Sequence, residues 1–167
     1  MKTDLGRFRA DPSAFARALV NPETGRAFEL LPAQEAFLRE LFRPEGVRYS
    51  EAVFSAPKKS GKTTFAALAT LYVVLVWGGR YAEGYCYAND EEQARGRVFE
   101  AARKIVGATP WLARQARILN DRIEFEPTGS VIQAMASEYA GAAGANPTIT
   151  VFDELWAYSS ERARRLG

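Results

Sequence analysis

Two short segments of this chain carry residue types and spacings that suit one chemistry. Ala56-Pro57-Lys58-Lys59-Ser60-Gly61-Lys62-Thr63 follows the apolar run Ala52-Val53-Phe54. Ile149-Thr150-Val151-Phe152, well downstream, ends in two carboxylates, Asp153 and Glu154. The first segment reads as a phosphate-binding loop between a strand and a helix. The second reads as a buried strand that delivers its acids at its C-terminal end. Together they are the minimum set for hydrolysing a nucleoside triphosphate with the help of Mg²⁺.

Each residue of the loop has a physical role in that reading. Gly61 lets the backbone come close to phosphate. The amides of Ser60 through Thr64 are expected to face the anion from a helix N-terminus, where the dipole also favours negative charge. Lys62 is placed to reach the β- and γ-phosphate oxygens, and the Thr63 hydroxyl to ligate Mg²⁺. Lys58 and Lys59 add positive charge inside the loop, and either contact with the γ-phosphate or plain solvation accounts for them. The usual pattern G-x-x-x-x-G-K-[ST] is broken once, because Ala56 stands where the first glycine falls. A bare Gly-Lys-Thr is a weak signal. Its setting strengthens it, since Ala52 to Ala56 has the look of a short buried strand and Thr63 to Trp77 is apolar nearly all round. The alternative is a helix N-terminus that happens to carry Lys and Thr.

At the second segment, Asp153 is expected to hold Mg²⁺ through water or Thr63. Glu154 is expected to orient and deprotonate the attacking water. The structural alternative is an acidic N-cap for a helix over Leu155 to Arg165.

Composition narrows the field. The 167 residues are enough for one domain with a sizeable core. A net charge of +2 does not by itself announce nucleic acid. Arginine dominates the basic residues, which mildly favours contacts to phosphate or carboxylate. Histidine is absent, so imidazole acid–base chemistry and histidine metal sites are excluded. The single Cys86 forbids an internal disulfide and a cysteine zinc cluster. A cytosolic compartment fits this usage. The longest apolar run, Phe65 to Trp77, is too short to span a bilayer.

The elements that must position these residues follow an α/β order. Asp11-Pro12 reads as an N-cap with proline at the first helical position, opening a helix through Leu19. Asn21 to Gly25 is a turn. Leu30 to Phe42 has helical apolar spacing, and Arg43 to Gly46 ends it. After the loop and its helix, Gly78-Gly79-Arg80 closes the helix. Gly84 to Ala88 reads as a second strand. Asp90 to Val106 reads as an amphipathic helix capped by Asn89 or Asp90, and Pro110 to Gln115 as one helical turn. Ile118-Leu119 and Arg122 to Glu126 suit a hairpin through Asn120-Asp121. Ser130 to Met135 follows as its partner, and Gly141 to Pro147 is a small-residue loop.

Four stretches, taken in order, resemble the N-terminal ATPase domain of the large terminase subunit, the DNA-packaging motor of tailed bacteriophages. Leu31-Pro32-Ala33-Gln34 is similar to that family's adenine-recognition segment, with Gln34 as the adenine reader. Ala56 to Thr63 resembles its variant phosphate loop, which often lacks the first glycine. Ala88 to Ala94 resembles the strand-to-helix turn after the loop helix. Asn146-Pro147 with Val151 to Leu155 resembles the Walker B region. The resemblance covers roughly Leu31 to Tyr158.

The resemblance implies a P-loop NTPase fold of the RecA/ASCE type, a mostly parallel sheet flanked by helices. It implies ATP and Mg²⁺ as cofactors. Residues 1–45 would be a helical segment with the adenine motif, and 46–167 the ATPase core. The implied partners are double-stranded DNA, the portal protein, the small terminase subunit and further copies in a ring. No membrane is implied, and the setting is the host cytoplasm, docked on the procapsid. Members of the family continue past Walker B into further strands and a nuclease domain, so the chain is expected to be truncated, with the nuclease absent. Arg95, Arg97 and Arg103 are candidates for an arginine acting on a neighbouring subunit's site, against the alternative of a solvated helix face. A helicase-like or partition-like ATPase, or a nucleotide-binding remnant without turnover, are the other readings.

Overall fold

A mixed five-stranded sheet holds the candidate site at its edge. The computed structural model describes residues 5–43, 45–88, 96–136 and 147–153. Seven strands are described: β1 (Phe42–Arg43), β2 (Gly46–Val47), β3 (Glu83–Ala88), β4 (Ala116–Ile118), β5 (Arg122–Phe125), β6 (Ser130–Ala136) and β7 (Ile149–Phe152). The helices are α1 (Leu5–Ala10), α2 (Pro12–Arg17), α3 (Pro32–Leu41), α4 (Lys62–Tyr72), α5 (Arg97–Ala108) and α6 (Pro110–Ala113). The large sheet has the order β4-β5-β6-β3-β7. Strand β3 runs parallel to both β6 and β7, whereas β4, β5 and β6 form an antiparallel meander. The α/β class is therefore as expected, and the strands nearest the site are the parallel ones.

Strict alternation along β3 divides two apolar layers. Cys86 is fully buried among Leu71, Phe99 and Ile132 under the helices. Gly84 lies on that same face, where a Cβ would meet Val74 Cγ2 at 2.8 Å. The absent side chain lets the helix lie close on the sheet. Tyr85 and Tyr87 occupy the opposite face with Met135. The β3–β7 register sets Tyr87 against Phe152, and their rings stack at 5.0 Å. Burial of Phe65, Leu68, Leu71, Val98, Phe99 and Ile105 joins α4 and α5 into one core over the sheet.

Local sequence explains several of these elements. The Asp11 side chain accepts the Ser13 amide at 3.0 Å, and Pro12 opens α2, as the N-cap signature predicts. The Asn21–Gly25 turn is present, with Gly25 at φ 68°. The β4–β5 hairpin turns through Asn120-Asp121, and Ile118 faces Ile123 across it.

Three expectations need correction. Ala52 to Ala56 belongs to no strand. No strand among the described residues pairs with it, and Val53 is 76 % exposed. Phe54 packs against Phe37 and Phe65. The helix expected to run to Trp77 changes after Tyr72 into a π-helical turn over Val73–Trp77, closed by the Gly78 amide on the Val73 carbonyl at 2.8 Å. The Val76 carbonyl there takes the Arg9 guanidinium of α1 at 3.0 Å. The stretch after α3 also forms the small β1–β2 hairpin rather than a simple end. Among the described residues, the parallel pairings are those of β3 with β6 and β7, and β5 pairs antiparallel with both its neighbours. The Asn89/Asp90 cap, Arg95, residues 141–146, Glu154 and the helix expected over 155–165 lie outside the described residues. No helix among the described residues is long and apolar enough to cross a membrane.

Candidate active site

The loop between residues 51–57 and α4 is built on two left-handed residues. Gly61 is at φ 78°, where glycine is at no disadvantage. Lys59 is at φ 66°, a conformation that costs a non-glycine residue about 1–2 kcal/mol. Between them the Ser60 amide reaches back to the Pro57 carbonyl at 3.3 Å and closes a turn. The amides aimed outward therefore run from Gly61 into the first turn of α4. The first intrahelical bond there is Phe65 N–H to Gly61 C=O at 2.9 Å. The amides ahead of it have no partner within the helix and carry its positive dipole end.

Lys62 spans the loop. Its Nζ donates to the Ala56 carbonyl at 2.7 Å and to the Pro57 carbonyl at 2.9 Å. An ammonium has three donors. Two hold the loop's entry in shape, and the third is left for an anion. Lys58 and Lys59 are exposed at the loop tip.

The two sequence segments meet through one hydrogen bond. The Thr63 Oγ1 hydroxyl donates to Asp153 Oδ2 at 3.0 Å. The β3–β7 ladder carries Asp153 to this point, because it fixes Ile149–Phe152 in parallel register and Asp153 is the next residue. A hydroxyl and a carboxylate oxygen are hard donors of the kind Mg²⁺ takes beside phosphate oxygens and water.

Gln34 lies in the first turn of α3 and is only 8 % exposed. Its Oε1 accepts the Leu31 amide at 3.0 Å, which fixes the side chain and leaves Nε2 to donate. A cavity of about 1370 Å³ connects it to the loop, with Gln34 and Leu31 at one part of the wall and Gly61 and Thr64 at another. The volume exceeds the range of roughly 300–1000 Å³ usual for small-molecule pockets, so a nucleotide fits with room to spare.

The opposite wall of the cavity comes from α5, through Arg97, Glu100, Ala101 and Lys104. Sequence reasoning named Arg97 only for a neighbouring subunit's site and missed the other three. Their i, i+3, i+4, i+7 spacing marks one face of a helix, but nothing in the sequence says that this face opposes Gln34. Arg103, one of the candidates for action on a neighbouring subunit, is held on its own helix. It donates through Nε to Glu100 Oε2 at 2.9 Å and through Nη2 to Glu100 Oε1 at 2.6 Å.

Comparison with known proteins gives the family and the fold. No curated protein matches the chain. Among solved structures, the crystal structure of the HK97 bacteriophage large terminase is similar, with a TM-score of 0.73 and 24 % sequence identity. The likeness covers 88 % of this chain and 31 % of that one, and at this identity it speaks for the fold alone. Residues 32–166 match the family described as terminase large subunit, ATPase domain. That stretch holds Gln34, the loop and Asp153, and on this match the chain belongs to the family of terminase large-subunit ATPase domains.

Proposed function

We propose that this chain is the ATP-binding and hydrolysing motor domain of a viral terminase large subunit, which drives DNA into the procapsid. The observation that carries the reading is the Thr63–Asp153 hydrogen bond beside a loop strapped by Lys62. It joins a phosphate-binding loop to a metal-type carboxylate at a strand end.

The roles divide as follows. The amides from Gly61 to Thr64 and the third donor of Lys62 hold the β- and γ-phosphates. Thr63 and Asp153 hold Mg²⁺, which when bound neutralises charge on the phosphate oxygens. Glu154 takes the proton of the attacking water. Gln34 reads the adenine edge from its fixed position beside Leu31. Residues 1–45 supply that segment, and 46–167 the ATPase core.

Double-stranded DNA, the portal protein, the small terminase subunit and further copies in a ring are the partners this reading entails, in the host cytoplasm. The chain spans less than a third of the HK97 chain, so these belong to the whole motor. Turnover by the 167 residues alone is expected to be slow and to rise with protein concentration, because ring motors complete a site with a neighbour's arginine. Arg95, Arg97 and Arg103 are the candidates for that arginine, and the Arg103 guanidinium is paired with Glu100 on its own helix.

Calorimetric titration with ATP tests the reading. Binding that strengthens on adding Mg²⁺ is the expected result. No heat of binding with or without Mg²⁺, in a protein shown to be folded, would overturn it.

A further inference from the structure

We infer that Tyr87 is a positioning residue for the Asp153 carboxylate: by stacking on Phe152, its ring fixes the end of β7 and so holds Asp153 against Thr63. The inference rests on the Mg²⁺ reading of Thr63 and Asp153 above and adds what keeps that pair in place.

Alternation along β7 sends its side chains to the two faces of the sheet in turn. Ile149 and Val151 pack into the core under the helices, and Thr150 is exposed. Phe152 joins Tyr85, Tyr87 and Met135 on the opposite face. Asp153 then returns to the helix side, where its Oδ2 accepts from the Thr63 hydroxyl at 3.0 Å. The last rung of the β3–β7 ladder is Tyr87 opposite Phe152, and Asp153 lies just beyond it. Among the described residues β7 pairs with β3 alone, so the ladder holds it from one side.

The two rings of that rung are not equally fixed. Tyr87 is buried, with Met135 of β6 across from it in register. Phe152 is half-buried and lies nearly parallel to it, with 15° between the planes and 5.0 Å between the centroids. Such offset stacking is a favoured aromatic geometry. A well-seated ring therefore holds a freer one. Val151 anchors the strand from the helix side, but two positions short of the carboxylate. Phe152 is the residue next to it. Without the stack, the chain beyond Val151 can turn, and the carboxylate leaves Thr63. Groups behind a metal ligand that fix its orientation commonly set the affinity of the site.

Tyr87→Leu removes the ring and keeps an apolar side chain in the layer, whereas Tyr87→Phe keeps the ring. An aromatic pair is worth a factor of roughly two to ten. The Mg²⁺ concentration for half-maximal ATP binding should rise by about that factor in Tyr87→Leu. Its affinity for ATP without Mg²⁺ should stay at the wild-type value, since the loop is untouched. Tyr87→Phe should keep the wild-type Mg²⁺ requirement. Without any ligand, hydrogen exchange at the amides of 149–153 should quicken in Tyr87→Leu and not in Tyr87→Phe, while α4 exchanges as in the wild type. If Tyr87→Leu does not fold, Phe152→Leu removes the same stack from its half-buried side and is read in the same way. A wild-type Mg²⁺ requirement or wild-type exchange in the folded variant would overturn the inference. So would equal losses of ATP affinity with and without Mg²⁺, which mark a general loosening of the fold. A Tyr87→Phe as impaired as Tyr87→Leu would overturn it too, by assigning the effect to the hydroxyl. Asp153→Asn is the control for the underlying reading. If it leaves the Mg²⁺ requirement unchanged, the metal reading fails; if it raises the requirement and loss of the stack does not, only the role of Tyr87 fails.

Discussion

Thr63 Oγ1 donates to Asp153 Oδ2 at 3.0 Å across ninety positions of sequence. Thr63 is the second residue of the helix after the loop, and Asp153 directly follows β7, four strands along the sheet from β4 at the antiparallel edge. Neither needs the other for the fold, since the β3–β7 ladder and the α4 core place them independently. Their meeting is what a Mg²⁺ site requires.

Asp153→Asn should therefore act on the metal before it acts on the fold. The amide keeps an oxygen acceptor for Thr63 but loses the charge. The Mg²⁺ concentration needed for half-maximal ATP binding should rise roughly tenfold or more, by analogy with losses at other metal-site positions. Titrating Mg²⁺ at fixed ATP measures this. An unchanged requirement would remove Asp153 from the metal site.

Gln34→Ala has two consequences that can be separated. Loss of the Oε1 bond to the Leu31 amide weakens the start of α3 and should cost about 1 kcal/mol in chemical denaturation, as lost N-terminal caps do. Loss of base reading should also lower the affinity for ATP relative to GTP. Competition between the two nucleotides gives the ratio. A destabilised variant with the wild-type ratio would make Gln34 a helix cap and nothing more.

Glu154→Gln keeps the size of the side chain and removes the base. Nucleotide affinity should stay within a few fold and steady-state phosphate release should fall by ~10² or more, the usual contribution of a positioned base. Retained turnover would move the proton acceptor to another residue.

Much of this was legible in the sequence, for identifiable reasons. Val151 and Phe152 before an acidic pair mark β7 because a β-branched apolar run ending in carboxylates has few other uses. Asn120-Asp121 between two apolar runs marks a hairpin by its turn chemistry. The turn ahead of α4 was legible despite Ala56, because Gly61, one of its two residues at positive φ, is a glycine. The failures share a different cause. Ala52 to Ala56 has the composition of a strand, yet a strand exists only where a neighbour offers a ladder, and composition cannot supply the neighbour. In the π-helical turn after Tyr72, the Val76 carbonyl accepts from the Arg9 guanidinium of α1, a contact between residues 67 positions apart. The cavity wall of Arg97, Glu100 and Lys104 was hidden for the same reason, since helical spacing gives a face but not what it faces. Pairing across the chain decided each of these, and local pattern did not contain it.

The central claim is that the loop at Lys62 is where a nucleotide's phosphates sit. Lys62→Ala removes the bridging ammonium and the charge offered to phosphate, and leaves the Thr63–Asp153 pair in place. Calorimetric titration of ATP·Mg²⁺ into the folded variant, with folding checked by circular dichroism, is the most direct measurement. No detectable binding is the result this account predicts. Wild-type affinity in the folded variant would contradict it.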